Sequence, residues 1–298
     1  VIFGYSAGFW AGLIVAGLTL GGVYALFSSG LTMIFGAAQV MNFAQGEFFM
    51  LGGYVTWYLT STLHFSFWLA LPTVALVLGL FGALMSATIF ARIAQSPRAQ
   101  EIGLVLTLGL SVVFQQGATS LLGVTPRVPA YSLAQPHVVV GGVSIQDLRL
   151  VALGLALVAL SALGWFMAKT RLGLAIRGTP LNRDLARALG IPSRRVTMSA
   201  IAIGTALSGL AAAAISPFYG VYPTMGSAFL FTGFAILFIG GLTNVWGTLV
   251  AALAVGVVTS VAGGVISATA ASVAPLAVVA AASLLRPNGV FGSTARTA

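Results

Sequence analysis

A chain of 298 residues that is 59% hydrophobic and only 6% charged is not a water-soluble domain, in which about 25% of residues are charged; its solvent is lipid. The absence of cysteine excludes a disulfide framework, a thiolate metal site and a cysteine nucleophile. The net charge of +9 is no nucleic-acid footprint, because seven of the 13 basic residues lie between Lys169 and Arg195 beside apolar runs, the pattern of a topology signal.

A helix needs about 20 mostly apolar residues to cross the hydrocarbon core, and residues 48–91 and 196–285 hold no charged side chain. Irregular backbone cannot face lipid, and the dyad alternation of a barrel strand is absent, so the spans are predicted to be helices. The expected fold is an all-α polytopic membrane protein with about 8–10 membrane segments, broken or short helices included. It forms one transmembrane domain over residues 1–298. In chain order the apolar segments run 8–27, 47–63, 67–91, 101–123, 150–168, 196–216, 227–243, 245–264 and 268–285. The first runs straight into more membrane-like sequence, unlike a signal-peptide core, and is read as a retained span. Residues 28–46 are interrupted by Ser28, Ser29, Gly30, Gly36, Gln39, Asn42 and Gln45, which predicts a short or broken helix there.

Arg92 and Arg98, the Lys169–Arg195 cluster, and Arg286 and Arg296 each follow an apolar run; the positive-inside rule puts all three in the cytoplasm. Loop 124–147 is then external. After Pro126, Pro129 and Pro136 it holds two short β-branched runs around Gly141-Gly142, which predicts a small hairpin. Gly30-Leu31-Thr32 with Phe35-Gly36 recurs at the same spacing as Gly241-Leu242-Thr243 with Trp246-Gly247, a faint internal repeat of the kind found in transporters. Gly8 with Gly12, and Gly17 with Gly21, form small faces that let helix backbones approach closely, which favours packing within the chain over a dimerisation motif.

The cytoplasmic loop 169–195 contains GTPLNRDLARALGIP at 178–192. Thr179 reads as an N-cap, Pro180 as the first helical position and Gly190 as the residue past the end. Leu181, Leu185 and Leu189 repeat every four residues, Arg183 and Arg187 form a second row, and Asp184 is the one acid. So short a helix is marginal alone. Its apolar stripe must be covered by the membrane surface, by the chain's own helix ends or by a soluble partner. The stripe lacks the aromatic anchors of lipid-facing interfacial helices, which favours the partner. The chain has no GxxxxGK[ST] phosphate loop, so any ATP energy comes from another subunit.

GTPLNRDLARALGI resembles the coupling segment of ABC importer permeases, in the version of the branched-chain amino-acid permease family (LivH type). The resemblance extends through GLTLGGVYALFSSGLTMIFGAAQVMNFAQGEFFMLGGYV at 17–55, the Thr107–Ser111 run, ISPFYGVYPTMG at 215–226 and LLRPNGVFG at 284–292, which is nearly the whole chain. It departs at Gln45, where the family commonly has His. The resemblance implies the ABC importer permease fold and a multi-pass subunit of the bacterial cytoplasmic (inner) membrane, itself non-catalytic. Such a subunit moves branched-chain amino acids, or related small polar solutes such as urea or short amides, inward by alternating access. Its implied partners are a second homologous permease, two ATPase subunits that bind ATP and Mg, and an external solute-binding protein.

Inside the membrane, Asn42, Gln45 and Glu47 sit together, with Gln39 close by in sequence and Gln115 in a later span. An ionisable group at the centre of a span costs about 2.5–3.5 kcal/mol on insertion scales, so these residues either line a solute pathway or brace helices through hydrogen bonds. The parity of the spans puts Glu47 near the cytoplasmic end of its helix, which favours the brace. No paired carboxylates, HExxH or Ser/His/Asp set is recognisable, and no catalytic, cofactor or metal site is expected. The competing function is a stand-alone secondary transporter or channel for small polar solutes.

Overall fold

The sequence folds as expected into a polytopic α-helical protein, here a computed structural model that describes residues 7–93, 98–130, 137–140, 143–179, 183–188, 190–242 and 244–285. In order, the helices are α1 (Ala7–Ala38), α2 (Gln45–Trp57) with a π turn at Tyr58–Thr62, α3 (Phe67–Met85) with a π turn at Ser86–Phe90, and α4 (Ala91–Ile93). α5 (Ala99–Leu122) is followed by the strands β1 (His137–Val140) and β2 (Val143–Gln146). Then come α6 (Asp147–Lys169), α7 (Arg171–Gly178), α8 (Arg183–Ala188), α9 (Ser193–Tyr219), α10 (Met225–Gly240), α11 (Val245–Val265) and α12 (Ala268–Leu285). Among the described residues six helices are long and apolar enough to cross a membrane, and α10 and α12 are shorter apolar helices.

The first helix corrects the sequence reading. Ser28, Ser29, Gly30 and Gly36 do not break it, and α1 continues to Ala38. Its 32 residues span about 48 Å at 1.5 Å per residue. A hydroxyl inside a helix satisfies itself on the preceding turn: Thr32 Oγ1 donates to Ser28 O at 2.9 Å and lies 3.0 Å from Thr248 Oγ1 on α11. Gly30 is where two backbones meet, since a Cβ there would come 2.6 Å from Gly204 O of α9. Thr32 and Gly30 are therefore contact points, and the break falls later, at 39–44.

α1 is the spine of the bundle, flanked by α9 and α11. It runs antiparallel to α11, because Gly17 lies against Val257 while Thr32 meets Thr248 near the other end. The Gly17 and Gly21 face thus packs inside the chain, a Cβ on Gly17 falling 2.7 Å from Val257 Cα. Phe49 of α2 stacks on Phe229 of α10 at 4.3 Å between centroids, and Phe27 of α1 meets Phe49 edge-on at 5.5 Å. This aromatic cluster ties three helices into one core.

At one end of the bundle Arg127 acts as a clamp. Its N–H donates to Val221 O at 2.9 Å, and Val221 N–H returns the bond to Arg127 O at 2.8 Å. Its guanidinium donates to Leu122 O at 2.8 Å and sits 4.3 Å from the Trp57 ring centroid. The predicted hairpin is present in backbone register, His137 opposite Gln146 and Val140 opposite Val143; Gly141 and Gly142 lie outside the described residues. A single passage of α6 separates this end from loop 169–195. The faint repeat has no structural counterpart: Gly30–Gly36 lies within α1, whereas 241–247 straddles the connection from α10 to α11.

Candidate functional site

Two places single themselves out: the break between α1 and α2, and the 169–195 loop. At the break Gln39 takes a left-handed conformation, φ 57°, uncommon outside glycine but a usual way to end a helix. Its N–H still donates to Phe35 O at 2.7 Å, and its Nε2 donates to Gly36 O at 3.3 Å. Gln39 is thus occupied by its own helix end and stands apart from the other polar residues.

The next residues close on one another. Asn42 Oδ1 accepts the Ala44 N–H at 3.1 Å, and Asn42 Nδ2 donates to Gln45 Oε1 at 3.3 Å. Gln45 Nε2 donates to Gly204 O at 3.1 Å and to the Ser208 hydroxyl. Both acceptors lie near the middle of α9, so α2 begins at mid-depth in the bundle and is a half-helix. The Phe43 N–H donates to Thr107 Oγ1 at 3.2 Å, and Ser111 Oγ donates to Glu47 Oε1 at 2.8 Å. Ser111 is at the midpoint of α5. This corrects the position expected for Glu47: it lies at the middle of the bundle, in the first turn of a half-helix, and not at a cytoplasmic end. Parity misplaced it because a helix that starts mid-membrane does not carry the chain from one face to the other.

Glu47 is 1% exposed. Its second carboxyl oxygen, Oε2, has no hydrogen-bond partner among the described residues, and the same holds for the hydroxyls of Ser28, Ser29 and Tyr54. The first turn of a helix favours an acidic group through the helix dipole, which supports Glu47 where it stands. Gln115 is half-buried one turn beyond Ser111; its carbonyl accepts from Thr119 Oγ1 at 2.9 Å, and its amide is not part of the cluster. Sequence reasoning missed Thr107 and Ser111 as partners, although their four-residue spacing puts both hydroxyls on one face of α5. Ser208 gave no signal, being one small hydroxyl in a run of small residues.

The loop is built differently from its sequence reading. Thr170 opens a helix that the sequence reading did not include: its Oγ1 accepts from Gly173 N–H at 2.9 Å and caps α7, while residues 180–182, before α8, lie outside the described residues. Thr179 has helical backbone at the end of α7, with its hydroxyl returned to Ala175 O at 2.7 Å. Two short helices therefore occupy the loop. Gly190 does end α8, with φ 76° and an Ile191 N–H to Ala186 O bond of 3.0 Å, the six-to-one closure of a Schellman motif. In α8 Ala186 is buried and Leu185 is 56% exposed. Leu181 and Leu189 lie outside the described residues, and of Arg183, Asp184 and Arg187 only the helical backbone is described.

Comparison with known proteins adds the family. A family model described as "Branched-chain amino acid transport system / permease component" matches residues 13–284. The chain is 29% identical to the high-affinity branched-chain amino acid transport system permease protein LivH of Salmonella typhimurium, over 93% of each chain. The LivH of Escherichia coli strain K12 gives the same figures. The permease BraD of Pseudomonas aeruginosa is 27% identical over 94% of each. No solved structure matches. Bacterial permease relatives and six apolar spanning helices together fit a multi-pass protein of the inner membrane. The chain belongs to the branched-chain amino acid transport permease family.

Proposed function

We propose that this chain is the transmembrane permease subunit of an ATP-binding cassette importer that moves branched-chain amino acids, or related small polar solutes such as urea or short amides, into the cell by alternating access. It works with a second homologous permease, two ATPase subunits that bind ATP and Mg, and an external solute-binding protein. The positive-inside rule puts loop 169–195 in the cytoplasm and loop 124–147 outside. α8 docks the ATPase, with Leu181, Leu185 and Leu189 as its apolar stripe, Arg183, Asp184 and Arg187 beside it, and Thr179 and Gly190 at its borders.

The observation that carries this reading is Leu185. On a short helix closed by Gly190, with Ala186 turned inward, this leucine stays 56% exposed, in a loop that holds seven basic residues. A short helix that presents an exposed apolar side chain is stabilised by a protein partner.

A second reading, a stand-alone secondary transporter, draws on the carboxylate of Glu47 at mid-depth, since acids inside membrane bundles commonly belong to ion pathways. One experiment separates the two: purification of the tagged chain from its host in mild detergent, with mass spectrometry of what accompanies it. An ATPase and a second permease are expected. Recovery of this chain alone, still transporting after reconstitution, would establish the secondary transporter instead.

A further inference from the structure

Two parts of the chain share one plan, in a register other than the one read from the sequence. In each, a long helix ends on a left-handed residue, Gln39 (φ 57°) after α1 and Gly220 (φ 69°) after α9. A short irregular return follows, and then a helix that starts inside the bundle, α2 or α10. The spacing of Gly46, Phe49 and Gly53 recurs in Gly226, Phe229 and Gly233, and the counterparts meet. A Cβ on Gly46 would stand 2.6 Å from Gly226 O, and Phe49 stacks on Phe229. α1 and α9 run antiparallel, Ala37 beside Thr197 and Gly30 beside Gly204. The two units are thus inverted about an axis in the membrane plane, a plan found in transporters. Thr197 lies near the start of α9, next to the cytoplasmic loop, so the return at 39–44 faces the cytoplasm and the return at 220–224 faces outside.

α5 and the residues after it hold both returns, at equivalent places. On the inner side a Cβ on Gly103 would press on Val40, while Thr107 Oγ1 accepts the Phe43 N–H at 3.2 Å and reaches Met41 O at 3.4 Å. On the outer side Arg127 and Val221 exchange both backbone bonds. Met41 and Val221 are counterparts, since Met41 precedes Gly46 by the same spacing as Val221 precedes Gly226. The Arg127 guanidinium also clips back onto Leu122 O, the last residue of α5, so the helix end and the outer contact move together. Between the two contacts Ser111 bonds Glu47 at mid-depth, about 12 Å from Gly103 and about 16 Å from Leu122 at 1.5 Å per residue. Of the six spanning helices α5 is the least covered by its own chain, with 17% of its apolar window buried against 22–67% in the others. Little packing within the chain opposes a change in its tilt.

We infer that α5 is a lever that couples the two returns: it tilts about the Ser111–Glu47 bond, so that one end releases its return as the other end closes on its own. One side of the membrane then opens only when the other is shut. This rests on the alternating access proposed above and assigns the helix that enforces it.

The chain has no cysteine, and Val40 Cβ lies 3.5 Å from a Cβ built on Gly103, within the about 3.5–4.5 Å that a disulfide spans. Val40→Cys with Gly103→Cys therefore locks the inner end in the full complex. Hydrogen exchange of the amides at 124–128 and 220–224 is followed by mass spectrometry before and after reduction. The lock should speed exchange in both outer segments at least about threefold and stop uptake, and reduction should reverse both effects. Thr107→Val, which frees the inner end, should slow the same amides about threefold, the worth of one hydrogen bond in a membrane protein. Unchanged outer exchange in both variants would mean independent gates, and a change of the same sign in both would mean gates that open together; either result overturns the lever. Failure of the disulfide to form would remove the inner contact and the lever with it. Because exchange is read on this chain itself, a preparation without ATPase or second permease would overturn the importer alone, and the signs of the two exchange changes would still decide the lever.

Discussion

Replacing Gly52 by alanine tests how closely the half-helix is seated. Gly52 of α2 faces Gly209 of α9, and a Cβ there would fall 2.6 Å from Gly209 Cα. Ordinary carbon contacts are about 3.5–4.0 Å, so the two backbones must separate by about 1 Å. Neither side can yield by rotating a side chain, because both are glycines. Overpacking of this kind costs about 1–3 kcal/mol, and the same displacement pulls Gln45, seven residues earlier in α2, away from Gly204 and Ser208. Gly154→Ala on α6 is the control: nothing lies within 4 Å of its Cβ position, so it should be neutral or stabilise by up to about 1 kcal/mol through helix propensity. Both variants are purified in the same detergent, their reversible unfolding is measured, and uptake is followed in whole cells. G52A should lose stability and transport together, and G154A neither. Equal stability of G52A and the parent, or an equal loss in both variants, would refute the close seating of α2 on α9.

Gln45→Leu keeps the volume but removes the bonds to Gly204, Ser208 and Asn42; at about 0.6 kcal/mol for each hydrogen bond in a membrane protein, a loss near 2 kcal/mol should appear in the same unfolding assay. A double-mutant cycle of Glu47→Ala with Ser111→Ala should return a coupling of about 1 kcal/mol, and strict additivity would mean that α5 is not held to α2 through this bond. Leu185→Asp combined with Arg187→Glu should abolish recovery of the ATPase while the chain's abundance in the membrane stays normal; unchanged copurification and uptake would remove α8 from the docking role. Arg127→Ala should release the loop after α5, since it deletes the cation–π contact with Trp57, about 0.5–1 kcal/mol at an exposed site, and the bond to Leu122. Faster protease cleavage within 123–130 in intact complexes is the readout.

What the chain determines by itself is the set of membrane segments. Burial in lipid depends on apolar side chains summed over a window, a property local to the sequence, and α3, α5, α6, α9, α10, α11 and α12 all form within a few residues of their apolar runs. The end of α8 at Gly190 was legible too, because a left-handed closure favours glycine. The loop's first helix was not: α7, which Thr170 opens as N-cap, formed no part of the sequence reading.

Tertiary structure alone decided where α1 ends and what the break does. Ser28, Gly30 and Gly36 read as interruptions in a linear sequence, but inside the bundle Ser28 O accepts the Thr32 hydroxyl and Gly30 admits the backbone of α9, so the helix runs through them. The partners of the buried cluster lie far away in sequence, Ser208 163 residues from Gln45 and Ser111 64 residues from Glu47. No local pattern encodes such pairs. They exist because a polar group that cannot reach water must find its partner in whichever helix the fold sets beside it.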